Sequence, residues 1–164
     1  MSNFNQQMSW QDKYIPIVQQ IVGQVFMVRS SFEVDTQKAT DLVMLQADKM
    51  HIAVRLRKLN NYDDRYLNQF TIRAKTKNNN KTEIDKILEG NADKGFYGWV
   101  CDKNKIIEHF TIFDLDIFRQ EVNKETLDNK HLIKNPDGTG FYAFDFNEFP
   151  SNFIIKTSLG ETNE

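Results

Sequence analysis

Ala39-Thr40-Asp41-Leu42-Val43-Met44-Leu45, followed by His51-Ile52-Ala53-Val54-Arg55-Leu56-Arg57, is the part of the chain on which its fold turns. The first segment reads as a strand near residues 40–46 opened by an acidic side chain. In the second, near 51–57, Ile52, Val54 and Leu56 alternate with His51, Ala53, Arg55 and Arg57. That period of two sends one set toward a core and the other to the opposite face. A third strand is expected at 69–75, where Phe70, Ile72 and Ala74 face one way and Gln69, Thr71, Arg73 and Lys75 the other.

Toward the N-terminus, Trp10, Tyr14, Ile17, Val18, Ile21 and Val22 recur at spacings of three and four, which predicts a helix over 10–22. Ser9 can cap it, with Asp12 three residues on; Pro16 bends or restarts it, and Gly23 can end it. Residues 24–28 read as a strand. Toward the C-terminus, the polar loop 76–81 leads to a helix capped by Thr82, with Asp85 at capping-box spacing and Gly90 as terminator. Two strands follow at 96–101 and 105–113, then a helix capped by Asp114 with Leu115, Phe118 and Val122 inward. A strand at 131–134, the turn Asn135-Pro136-Asp137-Gly138 and a strand at 140–146 complete the series. No internal repeat and no domain-scale linker interrupts it. The order of elements predicts an α/β or α+β fold: one mixed sheet flanked by helices, a single domain over 1–164 with an ordered core from about 10 to 157 and a frayed end after Gly160.

A chain of 164 residues can bury a proper core, and thirteen Phe argue against disorder. Lys+Arg 21 against Asp+Glu 23 leaves a net charge of -2, so any polyanion site has to be a local patch. One cysteine, Cys101, excludes an internal disulfide framework and a Cys-based zinc site; its apolar surroundings predict a buried structural thiol. No apolar run approaches the ~18 residues of a membrane span, and no basic-then-apolar leader is visible, which predicts a cytoplasmic protein.

Should strands 51–57 and 69–75 pair, Arg55, Arg57, Arg73 and Lys75 would line one surface. Such a row of cations needs anions. Asp41, Glu33, Asp35 and Glu83 can supply them as internal ion pairs, a bound phosphate backbone can, or the face can meet another protein. Thr82, at the start of its helix, offers a further place for an anion, although Glu83 in the first turn competes. Metal chemistry would require Asp41 to converge with Glu33, Asp35 or Glu83 on a hard cation such as Mg²⁺, with Lys75 beside an attacking water. There is no Gly-rich phosphate loop, no serine elbow and no Cys/His pair, and His51, His109 and His131 lie at no metal-binding spacing. The aromatics Tyr97, Trp99, Phe141, Tyr142, Phe144 and Phe146 alternate as core residues do, though aromatic faces can also stack bases.

Ala39–Val43 with Ile52–Arg57, Gln69–Arg73 leading to Lys81–Ile87, Gly90 through Phe96-Tyr97-Gly98-Trp99, and Asp137-Gly138-Thr139 followed by aromatics together resemble a family of small proteins encoded by bacteriophages and prophages, over about Trp10 to Phe153. More distantly, the core resembles the PD-(D/E)xK restriction-endonuclease-like superfamily. Asp41 matches the aspartate of that pattern, whereas Arg55-Leu56-Arg57 stands where an acidic-x-Lys would be. Taken together with that resemblance, the cation row predicts a phage-type accessory protein with a nuclease-like core that binds nucleic-acid phosphates or another anion through Arg55, Arg57, Arg73, Lys75 and Thr82, without efficient catalysis. It leaves two alternatives: a Mg²⁺-dependent endonuclease with a displaced site of Asp41, Glu83 and Lys75, or a protein-binding inhibitor of a host defence system acting in the host cytoplasm.

Overall fold

The computed structural model describes residues 9–29, 42–44, 50–59, 66–78, 80–122, 127 and 131–159. A short helical turn at 9–12 precedes helix α1, Ile15–Phe26. Pro16 sits in its first turn, where the missing N–H is no loss, so the helix restarts there. It does not end at Gly23. The apolar stripe of Val18, Ile21, Val22 and Val25 runs past the glycine, and its burial outweighs a weak helix former. The expected strand at 24–28 is therefore displaced to β1, Met27–Arg29, which pairs antiparallel with β2, Leu42–Met44.

The remaining strands form two sheets rather than one. Strands β3 (Ile52–Lys58), β5 (Lys94–Cys101), β6 (Ile106–Asp114) and β9 (Ile154–Thr157) make a mixed sheet in the order β3-β5-β6-β9. Strands β4 (Gln69–Lys75), β8 (Gly140–Asp145) and β7 (Leu132–Lys134) make an antiparallel sheet in the order β4-β8-β7. The expected pairing of β3 with β4 is thus replaced. β3 runs parallel to β5, with Arg55 opposite Tyr97 and Arg57 opposite Trp99, and β4 pairs with β8, with Phe70 opposite Phe144. This architecture is α+β: a mixed sheet and an antiparallel sheet with helices on their faces.

Two apolar layers explain the arrangement. On one face of the four-stranded sheet, Tyr14, just before α1, and Val18 within it pack on Leu56, Phe96, Val100 and Ile112. On the other face Tyr97, Trp99 and Phe113 meet Phe70, Ile72, Tyr142 and Phe144 of the second sheet, closed by α2 (Glu83–Leu88) and α3 (Leu115–Glu121). With both faces covered, β5 is buried along nearly its whole length, as a central strand of continuous apolar character should be. Phe70 is the hub, its ring lying 4.8 Å from both Phe113 and Phe146 and 5.1 Å from Phe144. The short helices end as their sequences dictate. Asp85 accepts the Thr82 N–H, and Gly90, at φ 81, closes α2 with bonds from Gly90 N to Ile87 O and Asn91 N to Lys86 O. Asp114 Oδ1 accepts the N–H groups of Asp116 and Ile117 at the start of α3. Cys101 closes β5 half-buried, more accessible than its apolar surroundings predict. No described helix is long and apolar enough to cross a membrane.

The turn between β5 and β6 ties down the N-terminal helix. Asp102 Oδ1 accepts the Trp10 indole N–H at 2.7 Å and the Tyr14 hydroxyl at 2.6 Å, while its Oδ2 lies 2.7 Å from Lys58 Nζ. Lys58 also stands over the Trp10 ring, 5.0 Å from its centroid. Burial would raise the Asp102 pKa, but the hydrogen bonds from Lys58, Tyr14 and Trp10 outweigh it and hold the carboxyl at about 2 instead of 3.8. Burial and then the bond to Asp102 push the Tyr14 hydroxyl up to about 12. A depressed carboxylate stabilises the fold above its unfolded pKa, so this contribution is complete above pH ~4 and is lost as pH falls from there toward about 2. Asp102→Asn is expected to cost about 1 kcal/mol, discounted for partial exposure, and to flatten the acid limb of stability against pH. Trp10 emission should shift to the red, while Trp99, at 3% exposure, stays unchanged. An unchanged acid limb in denaturant titrations would contradict the assignment.

Candidate functional site

The arginines of β3 come near Arg73 of β4, although the strands are not neighbours in one sheet. Arg55 and Arg57 project from β3 on the side of the second sheet. Arg57 Nε donates to Tyr97 OH at 3.3 Å, and its NH2 group donates to Thr71 Oγ1 at 2.7 Å. The two hydroxyls are themselves 3.3 Å apart. Arg55 NH1 donates to Glu83 Oε2 at 2.5 Å, and the same carboxylate oxygen accepts the backbone N–H of Arg73 at 3.0 Å. One side chain from the first turn of α2 thereby ties β3 to β4. The Arg55 and Glu83 side chains are 20% and 28% exposed, and the Arg55 Nε is buried with no hydrogen-bond partner among the described residues. Burial lowers the Arg55 pKa; Glu83 opposes that, and the nearby charges of Arg57 and Arg73 add to it.

This cluster is a structural tie. The space beside it, lined by Ala53, Arg55, Thr71, Glu83 and Tyr97 among others, is about 20 Å³, room for about one water molecule and too small for a nucleotide. Of the readings that the arginine row left open, internal ion pairing describes Arg55, and Glu83 is its partner.

Metal chemistry at Glu83 finds no fit among the described residues. No group of three His, Cys, Asp or Glu side chains is placed to hold a metal ion there, and Glu83 Oε2 is already shared by two N–H donors. Asp41, Glu33 and Asp35 lie outside the described residues. Glu83 and Lys75, which a displaced nuclease site would combine, line different cavities.

Lys75 belongs to the second of these, an open groove of about 390 Å³ between the end of β4, the loop after it, α2 and the β7–β8 hairpin. Thr76, Asn80, Leu132 and Lys134 line it, together with the buried Ile84 and Tyr142. Thr82 also lines it, but its hydroxyl and its N–H both donate to Asp85 Oδ2, at 2.7 and 2.9 Å, so the capping box occupies the groups that an anion would need. The lysines are placed by register. A bulge between Arg73 and Lys75 sets Lys75 opposite Gly140, and the hairpin sets Lys134 opposite the same glycine. Lys134 does not stand out in the sequence. The signal was its place just before the Asn135-Pro136-Asp137-Gly138 turn, which puts it across the hairpin from Gly140.

The chain matches no protein-family model, no curated protein and no solved structure. What the groove can do follows from its own chemistry: two ammonium groups at the rim of an open, partly apolar trough can hold anionic oxygens attached to something with an apolar face.

Proposed function

We propose that the protein is a nucleic-acid-binding accessory protein, of bacteriophage type and with a nuclease-like core, that holds the phosphate backbone without cleaving it. The observation that carries this reading is the pair Lys75 and Lys134, both exposed, set on either side of Gly140 at an open groove. Lysine ammonium groups are strongly hydrated point charges that suit backbone phosphates and read no base. The arginine cluster supports the site from behind by fixing β4, the strand that carries Lys75. The reading without cleavage is supported by Glu83, a proposed metal ligand, whose Oε2 already accepts from Arg55 and from the Arg73 N–H.

Anisotropy titrations with labelled oligonucleotides test the proposal. Affinity should fall as salt rises, and Lys75→Ala with Lys134→Ala should shallow the log–log salt slope by about 0.7–0.9 per lysine removed. Because both side chains are exposed, the melting temperature of this double variant should stay within about 2 °C of the parent. Cleavage that requires Mg²⁺ or Mn²⁺ and is lost with Asp41→Ala would replace the proposal with the endonuclease reading. No binding to any nucleic acid at low salt would leave the host-protein inhibitor.

A further inference from the structure

We infer that the groove takes one unpaired strand, seating two of its phosphates on Lys75 and Lys134. The inference rests on the backbone-binding reading and adds the form of nucleic acid. Lys75, Gly140 and Lys134 are register partners on β4, β8 and β7, so the lysines stand two strand spacings apart, roughly 10 Å. Phosphates in a stacked strand advance about 3.4 Å each, so this span corresponds to about three nucleotides.

Gly140, itself buried, sits between the two lysines in the sheet. A Cβ there would lie 3.4 Å from both the Lys75 Cβ and the Leu132 Cδ1 and 3.2 Å from the Ile133 carbonyl oxygen, so the missing side chain leaves room for Leu132 and the Lys75 stem to pack. The walls are held. Thr76 Oγ1 bonds the backbone of Asn80 in both directions, at 3.3 and 3.0 Å, and Lys77 pairs with Asp137 at 3.5 Å, joining the loop to the hairpin turn.

Two features favour a single strand over a duplex. The lysines flank a concave trough of about 390 Å³, at the small end of ligand sites, into which one strand can descend and a double helix cannot. The half-buried Ala74 and Leu132 in that trough offer apolar contact to a base or sugar face, which pairing and stacking in a duplex would hide. Asp85 brings one negative charge to the groove, but its Oδ2 faces Thr82, and the two lysines leave the lining net positive.

Competition binding with thymidine oligonucleotides of about two to about ten nucleotides, against a blunt hairpin duplex, decides the matter. Affinity should climb up to about four nucleotides and then level off, with the single strand at least about tenfold tighter than the duplex. The salt slope should be near -1.4, about 0.7 for each of two phosphates, and Lys75→Glu or Lys134→Glu should each remove about half of it or more while thermal melting stays unchanged. Equal or tighter binding of the duplex, or affinity that does not depend on length, overturns the single-strand inference and leaves the backbone-binding reading standing. Binding to neither form at low salt overturns both.

Discussion

Gly95→Ala is expected to cost about 3 kcal/mol, a large share of the roughly 5–15 kcal/mol that holds a domain together. Gly95 on β5 pairs with Phe113 on β6, and the Phe113 ring lies over the glycine. A Cβ at Gly95 would sit 2.2, 2.4 and 2.7 Å from three ring atoms, so the ring has to move. It has nowhere to go. Phe113 is 5% exposed, and its ring is boxed by Phe70 at 4.8 Å, Phe153 at 5.2 Å and Phe146 at 5.5 Å. Displacing it disturbs the hub where the two sheets meet. Denaturant midpoints measure the loss, and a second change, Phe113→Leu, should recover part of it by making room. A Gly95→Ala protein that unfolds at the parent's midpoint would show that the ring does not lie there.

Glu83→Ala is expected to be nearly as damaging, at about 2–3 kcal/mol, because it removes the charge that balances Arg55 and the acceptor for the Arg73 N–H together. The estimate is at the low end for a broken buried pair because both side chains keep partial exposure. The sharper expectation concerns the pair. Arg55→Met with Glu83→Gln removes both charges while keeping an amide oxygen for Arg73, and should be less destabilised than Glu83→Ala alone. A double-mutant cycle by chemical denaturation measures the coupling. Simple additivity would mean that the tie between β3 and β4 is made elsewhere.

These two sites differ in how far the sequence foretells them. Short-range chemistry is read easily. Thr82 with Asp85, Gly90, Asp114 and the Asn135–Gly138 turn act within a few residues, and their structures follow from backbone hydrogen-bond needs that any context would impose. Strand existence is legible for the same reason, since alternation in Ile52–Arg57 and Gln69–Lys75 is local. Partner choice is not. β3 can satisfy its edge with any strand of suitable pattern, and the selection of β5 over β4 comes from packing the faces of both sheets together. β9 escaped notice because Ile154-Ile155-Lys156-Thr157 lacks strict alternation and pairs over only three positions at a sheet edge.

The arginines illustrate the same division. That Arg55 and Arg57 share a face, and that Glu83 is a partner in reach, could be seen along the chain. That the face is closed over by Thr71 and Tyr97, and so stands behind the open site rather than within it, depends on how the second sheet docks. Lys75 and Lys134 become a pair only through Gly140, a residue with no side chain to advertise the position.

The pairing of β4 with β8 bears on how the polypeptide reaches its native state. Gln69 must find Asp145 across an intervening helix, two strands of the other sheet and a further helix. Contacts of such long range slow acquisition of the native topology to the millisecond-to-second regime. During synthesis, Phe70 and Ile72 leave the ribosome well before their partners Phe144 and Tyr142 exist. The nascent chain therefore carries an uncovered sticky segment for much of its translation, and its yield in a cell should respond to holdase chaperones more than to changes in the stability of the finished protein.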